Sequence, residues 1–424
     1  MDDEFNKGMD ELDNPKSVTQ FAPPKKKSKK RIVITILVII LLAGLVSVWL
    51  FVKSKNSNLS FNNKEESNNH NIDKKTVRLI ASGDAIPHDA INKVALQSSG
   101  EYEYSQMLGN MKELFDKSDV RFCNQAVLGG GKQFGISGYP KFNSPTEFAR
   151  DLAELGCNVI NTGSNHTNDF KQEVIDASVN AWQGLPGVIA VAGANTSTDE
   201  KNKVRYFESN GLKFAFVSYT TYSNEPPVSD YSVTMYSKDL AKNQLAEARS
   251  KADFVIVSMR WGTEYSQEVN SQQKELANEV ANLGADFILG HGPHVLQPVD
   301  QIILDDGRKA IVWYSLGNFL NAQLEPETLF NGIAVIDINT QDKSITNVSY
   351  LPIYMHYEWT KEQKQAEDLL ARTNFSMFAF DDAQEPLAKS QNVTTLEEQK
   401  NRINKTLNTF IDVKLMTKND YLGL

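Results

Sequence analysis

DFILGHGPH, residues 286–294, joins an apolar run at Asp286–Leu289 to a polar loop that carries His291 and His294. The run is too short for a typical helix and reads as a buried strand. Five other places repeat the pattern of an apolar strand followed at once by polar residues. Thr76–Ser82 leads into Gly83-Asp84-Ala85, and Asp119–Cys123 into Asn124-Gln125. Asn158–Asn161 precedes Gly163-Ser164-Asn165-His166-Thr167-Asn168-Asp169. Phe254–Met259 precedes Arg260-Trp261-Gly262-Thr263-Glu264, and Ala310–Tyr314 precedes Ser315-Leu316-Gly317-Asn318-Phe319. Functional loops of open α/β sheets gather at the carboxyl ends of strands, so these clusters are the places to look for chemistry.

Helical patterns lie between the strands: Tyr104–Phe115, Pro145–Leu155 with Ser144 as N-cap, Gln172–Gln183, Leu240–Ser250 and Gln272–Leu283. Val188–Ala192 is a further strand. Val204–Glu208 with Lys213–Ser218 reads as a hairpin, as does Ile302–Leu304 with Ala310–Tyr314. Gly332–Ile338 and Val348–Pro352 are strand-like. The expected class is α/β, a mixed β-sandwich flanked by helices. This core spans residues 76–354. Charged helical patterns at Glu362–Arg372 and Thr395–Thr409 make 355–424 a helical extension of it.

Ahead of the core, Ile32–Phe51 (IVITILVIILLAGLVSVWLF) contains no charge and is long enough as a helix to cross about 30 Å of hydrocarbon. Lys25, Lys26, Lys27, Lys29, Lys30 and Arg31 hold its start in the cytoplasm, and Trp49 suits the opposite interface. The apolar run exceeds a signal-peptide core, and no small-residue cleavage pattern follows it. The expected organisation is a disordered cytoplasmic tail at 1–30, a single transmembrane helix at 31–53 and an extracellular spacer at 54–75. The large domain then lies outside the cell. Through Lys53 the sequence carries 9 basic and 6 acidic residues, a net of +3, which leaves −12 of the overall −9 for the remainder. So acidic a domain argues against a nucleic-acid partner. The two cysteines, Cys123 and Cys157, are too few for a disulfide framework. Two buried thiols is the first reading, with one disulfide or a metal contact as the others.

Neutral imidazoles spaced as His291-x-x-His294 can share a metal. Asp169, three residues beyond His166, can orient that ring or cap its loop. The ordered set GDA (83–85), CNQ (123–125), SNHTND (164–169), RWGTEY (260–265), GHGPHVLQP (290–298) and YSLGNF (314–319) resembles the motif series of the CapA or PgsA family. That family is linked to polyglutamate capsule synthesis or export and has a calcineurin-like metallophosphatase fold. The resemblance implies a divalent metal, of no identified species, with Asp84, Asn124, Asn165, His166, His291 and His294 on the metal-site motifs. The candidate residues for catalysis are His166, Arg260 and Asp169.

Three departures alter the expected chemistry. The glutamate of the motif containing Asn124 is here Gln125, Arg260 replaces the histidine before Trp-Gly, and Gly292 replaces a residue often His. Arginine has no lone pair to give a metal, but its fork matches a phosphate or carboxylate. A two-metal hydrolase clamps its reacting oxygens between two ions, and this set leaves at most one well-formed site. Three functions therefore stay open: an anchored factor handling an anionic envelope polymer or its synthase subunits at the cell membrane, a metal-dependent hydrolase, and a non-catalytic module in which Arg260 grips an anion. Among other residues, Glu264 reads as a supporting carboxylate or a solvated one. His88 and His356 read as structural or exposed.

Overall fold

The computed structural model describes residues 75–424; the expected tail, transmembrane helix and spacer before Lys75 lie outside the described residues. Among the described residues no helix is long and apolar enough to cross a membrane. The strands are β1 (Thr76–Ala85), β2 (Val120–Gln125), β3 (Val159–Asn161), β4 (Ala190–Ala192), β5 (Arg205–Ser209), β6 (Leu212–Thr220), β7 (Phe254–Arg260), β8 (Phe287–His291), β9 (Val299–Ile303), β10 (Lys309–Trp313), β11 (Phe330–Asn339), β12 (Ile345–Glu358), β13 (Thr373–Ala379) and β14 (Lys414–Leu415). They form a larger sheet, ordered β13-β12-β11-β1-β2-β3-β4 with β14 beside β12, and a smaller one, ordered β5-β6-β7-β8-β10-β9. Each sheet contains a parallel block: β1 to β4 on one side of the larger, running to its edge, and β6, β7, β8 and β10 in the centre of the smaller.

Side-chain alternation along the strands explains why they read as unbroken apolar runs. Leu79 and Ala81 face the smaller sheet, in one layer with Phe214, Phe216, Ile256, Leu289 and Trp313. Ile80, between them, faces the opposite way into a layer with Phe148, Leu152 and Trp182 under the helices. In the smaller sheet Ala215, Val217, Val255 and Val257 turn outward onto Ala241, Leu245 and Val280 of the helices Lys238–Lys251 and Ser271–Leu283. The expected sandwich with helices on its outer faces is what forms.

Several local expectations change. The pattern at Tyr104–Phe115 breaks into helix Ser105–Leu108, a 3₁₀ turn Gly109–Met111 and helix Lys112–Asp116. The helix expected from Pro145 starts at Glu147 with Thr146 as N-cap, so Ser144 does not cap it. The first hairpin closes more tightly than its apolar runs suggested. Ser209 pairs with Leu212 across Asn210 (φ 47°) and Gly211 (φ 82°), the left-handed pair that a two-residue turn needs. Beyond Tyr354 the helical pattern at Glu362–Arg372 is realised only as Lys361–Gln365 and a 3₁₀ turn. That region also contributes β13 and β14, and Ile403 and Leu407 of helix Leu396–Leu407 enter the layer between the sheets.

The cysteines are not free. Cys123 on β2 and Cys157 before β3 are joined in a disulfide, their Cα atoms 5.8 Å apart, in the layer beneath the helices. Sequence spacing could not pair them, because the fold alone brings positions 34 residues apart within bonding reach. Replacing both by alanine is expected to lower unfolding free energy by about 4 kcal/mol, the loop-closure value for that separation. Denaturant titration of both proteins measures it, and an unchanged midpoint would refute the stabilising role.

Candidate functional site

The parallel strands of both sheets end at one edge, and there Asp84 of the larger sheet meets His291 of the smaller. The register of β1 against β2 shifts between Ala81 and Asp84. A Cβ at Gly83 would lie 2.1 Å from the Gly317 carbonyl oxygen, so only glycine lets β1 close onto the 316–319 loop. The Asp84 amide then donates to Gly317 O (2.9 Å), and the Phe319 amide donates to Asp84 O (2.8 Å). These bonds fix a carboxylate that is 1% exposed where the two sheets meet.

A line of amides braces that carboxylate. Asn124 Nδ2 donates to Asp84 Oδ1 (2.5 Å), Asn161 Nδ2 to Asn124 Oδ1 (2.7 Å), and Ser218 Oγ of the opposite sheet to Asn161 Oδ1 (2.5 Å). His291 Nδ1 lies 3.6 Å from Asp84 Oδ1, and His294 Nδ1 lies 2.8 Å from Oδ2. His294 is not aligned to hydrogen-bond that oxygen; its Nδ1 instead meets Asn318 Oδ1 at 3.1 Å. Burial pushes the Asp84 carboxyl up, but contact with the His294 ring and the charges of His294, Arg260 and His291 outweigh it and hold the group at about 2. His291 is brought down to about 4, mainly by burial, so its ring stays neutral at ordinary pH. It stacks on Phe122 with centroids 5.4 Å apart.

Arg260, at the end of β7, is also buried. Its Nε donates to Asn165 Oδ1 (2.8 Å), its guanidinium lies over the Tyr222 ring (5.2 Å), and Nη2 reaches Glu264 Oε1 only at 3.5 Å. Asp84 Oδ2, both ring nitrogens of His291 and Nη1 of Arg260 have no hydrogen-bond partner. Most buried polar atoms in folded proteins are hydrogen-bonded, so four without partners in one place set this edge apart. His166 stands at the rim. Its Nδ1 is 2.8 Å from Asp169 Oδ2, its ring meets Phe142 edge-on (4.8 Å), and Nε2 is 3.4 Å from Asn224 Nδ2. Of the two roles left open for it, Asp169 meets the ring; the same oxygen also accepts the Phe142 amide (2.8 Å), which ties its loop to a different segment rather than capping it.

Thus Asp84, Asn124, His291 and His294 form one cluster, and Asn165 joins it through Arg260. His166 and Asp169 make a second, rim pair on the loop that carries Asn165. Gln125 turns away: its Oε1 accepts from Trp182 Nε1 (2.9 Å) and its Nε2 donates to Val127 O (2.9 Å). Sequence reading missed Asn161, Ser218 and Asn224. Asn161 ends β3 as Asn124 ends β2, and that shared strand-end position was the available signal. Ser218 and Asn224 belong to β6 and its following loop, which no sequence motif marked.

Among the described residues no group of three or more His, Cys, Asp or Glu side chains is placed to hold a metal ion. The side-chain oxygen of Asn165 is taken by Arg260 and that of Asn124 by Asn161. A guanidinium inside the cluster also adds fixed positive charge where a second ion would need carboxylates. The residues do not fit a two-metal centre.

Arg260 and Gly292 share one space. Gly292 has φ +119°, and a Cβ built on it would sit 1.7 Å from Arg260 Nη1. The two departures from the family pattern therefore depend on each other. Gly292→Ala is expected to destabilise the protein by more than about 1 kcal/mol through backbone conformation and clash together. In an Arg260→Ala background the guanidinium contact is gone and the cost should shrink, while the contact with Trp261 O, 2.4 Å from the added Cβ, remains. A double-mutant cycle of denaturant midpoints reads the coupling, and additive effects would disprove it.

The family model described as "Bacterial capsule synthesis protein PGA_cap" matches residues 78–323. "PGA biosynthesis protein CapA" of Bacillus subtilis (strain 168) is 29% identical over 177 residues, covering 41% of this chain and 45% of that protein. "Capsule biosynthesis protein CapA" of Bacillus anthracis is 30% identical over 213 residues, covering 45% and 49%. The chain spans about half the length of these curated relatives. Among solved structures, a novel phosphatase from Mycoplasma pneumoniae is 15% identical over 66% of this chain and 94% of its own, with a TM-score of 0.42. A 5'-nucleotidase from Candida albicans is 11% identical over 65% and 51%, with a TM-score of 0.36. The family match runs through more than half of the chain, from β1 to the loop after β10 and so across every strand end of the site; the chain belongs to the bacterial capsule synthesis protein PGA_cap family.

Proposed function

We propose that the chain is a single-pass, membrane-anchored factor of capsule or envelope polymer synthesis or export. Its N-terminus lies in the cytoplasm, and its large domain outside the cell handles an anionic polymer of the poly-γ-glutamate type or the synthase subunits that make it. The charge-free run at Ile32–Phe51 and the basic residues before it support the anchor and its orientation. The Cys123–Cys157 disulfide supports an oxidising compartment. The names of the two CapA relatives support the polymer class.

One observation carries the anion reading. The half-exposed Glu264 carboxylate lies loosely between two groups of the site, 3.5 Å from Arg260 Nη2 and 3.8 Å from His294 Nε2. Both distances are too long for a hydrogen bond of full strength. A ligand carboxylate entering here takes over Arg260, whose Nη1 is otherwise without a partner, and displaces the tethered one. Arg260→Met is expected to weaken binding of a γ-glutamate oligomer at least about tenfold, and Glu264→Gln to strengthen it by removing the competitor. Calorimetric titration reads both, and wild-type binding that is indifferent to Arg260 would overturn the reading. In cells, deletion of the gene should lower surface polymer; an unchanged envelope composition would refute the biological role.

A second reading is phosphoester hydrolysis. It is favoured by His166, whose Nδ1 is held by Asp169 so that Nε2 faces the rim ready to accept a proton. Turnover of a generic phosphoester that is abolished by His166→Ala would replace the binding reading.

A further inference from the structure

Beside the Asp84–His294 cluster opens a cavity of about 600 Å³, within the range of small-molecule sites. It adjoins a second of about 590 Å³, and the two share Leu324, Glu325 and Leu369, so together they make an extended cleft. Tyr139 and Tyr265 stand in the first cavity with 79% and 58% of their surface exposed. Leu369 and Leu370 are exposed there too, which is unusual for large apolar side chains to share on one wall.

Tyr265 is held rather than free. It sits at φ +62°, a left-handed conformation costly for an aromatic residue, with its amide donating to Pro293 O (2.8 Å). Its hydroxyl accepts from Gln323 Nε2 (3.2 Å), whose Oε1 accepts from Asn318 Nδ2 (2.8 Å), and Asn318 is the partner of His294. One hydrogen-bonded line thus runs from the polar cluster to the aromatic wall.

The charges select the occupant. Asp89 and Glu325 line the first cavity, and neither carboxylate has an ion-pair or hydrogen-bond partner among the described residues. Arg372 is on the same wall, but its guanidinium lies against the rings of Tyr357, Trp359 and Phe375 and donates to the backbone oxygens of Leu369 and Ala322. In the second cavity Lys364, whose Nζ donates to Gln391 O (2.7 Å), shares the lining with Glu367 and Glu325. Carboxylates outnumber free cations, which repels a polyanion. Exposed aromatic faces interleaved with carboxylate and amide groups suit a ligand with apolar C–H faces and many hydroxyls.

We propose that this cleft binds a neutral oligosaccharide. Pyranose faces pack on Tyr139 and Tyr265, and hydroxyl groups donate to Asp89 and Glu325. The site stands apart from the anion-binding reading of Arg260 and pairs a glycan with an anionic polymer on one surface.

The test uses the full-length chain in a detergent without a sugar head group, titrated with an N-acetylglucosamine tetramer and separately with a γ-glutamate oligomer. Tyrosine fluorescence and saturation-transfer NMR read binding. The tetramer is expected to bind, and Tyr139→Ala and Tyr265→Ala each to weaken it about tenfold. Ile303→Ser, exposed on β9, should leave it unchanged. Tyr139 is so exposed that its replacement leaves folding intact, which a retained melting temperature checks. The proposal is overturned if the wild type ignores the tetramer, if both tyrosine variants bind it as before, or if an uncharged nucleoside binds in preference. It is also overturned if the tyrosine variants lose the γ-glutamate oligomer instead. Loss of γ-glutamate binding in Arg260→Met alone bears only on the anion site, so the two readings fail separately.

Discussion

The apolar layer between the two sheets sets the position of everything else. Leu79, Ala81, Phe216, Ile256, Leu289 and Trp313 meet there, and each belongs to a strand that is also covered by helices or a neighbouring segment on its other face. Burying a large side chain of this kind contributes about 1.5–3 kcal/mol, and the layer contains many. It holds the parallel blocks of both sheets with their carboxyl ends at one edge. Asp84, from one sheet, and His291, from the other, approach only because that layer keeps the sheets in register.

At that edge the structure spends stability on polar groups. Asp84 is fully buried, and its charge is kept by the Asn124–Asn161–Ser218 line and by nearby positive groups. A buried carboxylate without such support would be neutralised. The buried atoms of Asp84, His291 and Arg260 that lack partners set this edge apart from an ordinary core, where nearly all such atoms are bonded. Arg260 changes the meaning of the site. A guanidinium bonded to Asn165, over a glycine that makes room for it, puts fixed positive charge where a two-metal centre would need ligands.

The strand-end clusters were legible because polar residues directly after apolar runs are a local pattern. Their joint position followed once the runs were recognised as strands of an α/β sandwich. Asn161 escaped notice because it is the last residue of a three-residue strand and looks like part of the run. The C-terminal strands β13 and β14 escaped because their pairing with β12 compensates for weak local signals. Gln125 was legible as a departure from the family's ligand set, but not where its side chain goes instead, which is to Trp182, more than fifty residues away.

By itself the sequence determined the alternation of strands and helices, the polar strand ends, the charge-free run at 32–51 and the family motifs, because each depends on residues near one another in the chain. Tertiary structure alone decided which of these meet. It paired Cys123 with Cys157, bonded Arg260 to Asn165, and matched Gly292 to the guanidinium it accommodates. It also set Tyr139 and Tyr265 on one cleft beside His294. Those relations depend on distance and packing between segments far apart in the chain, which no local pattern encodes.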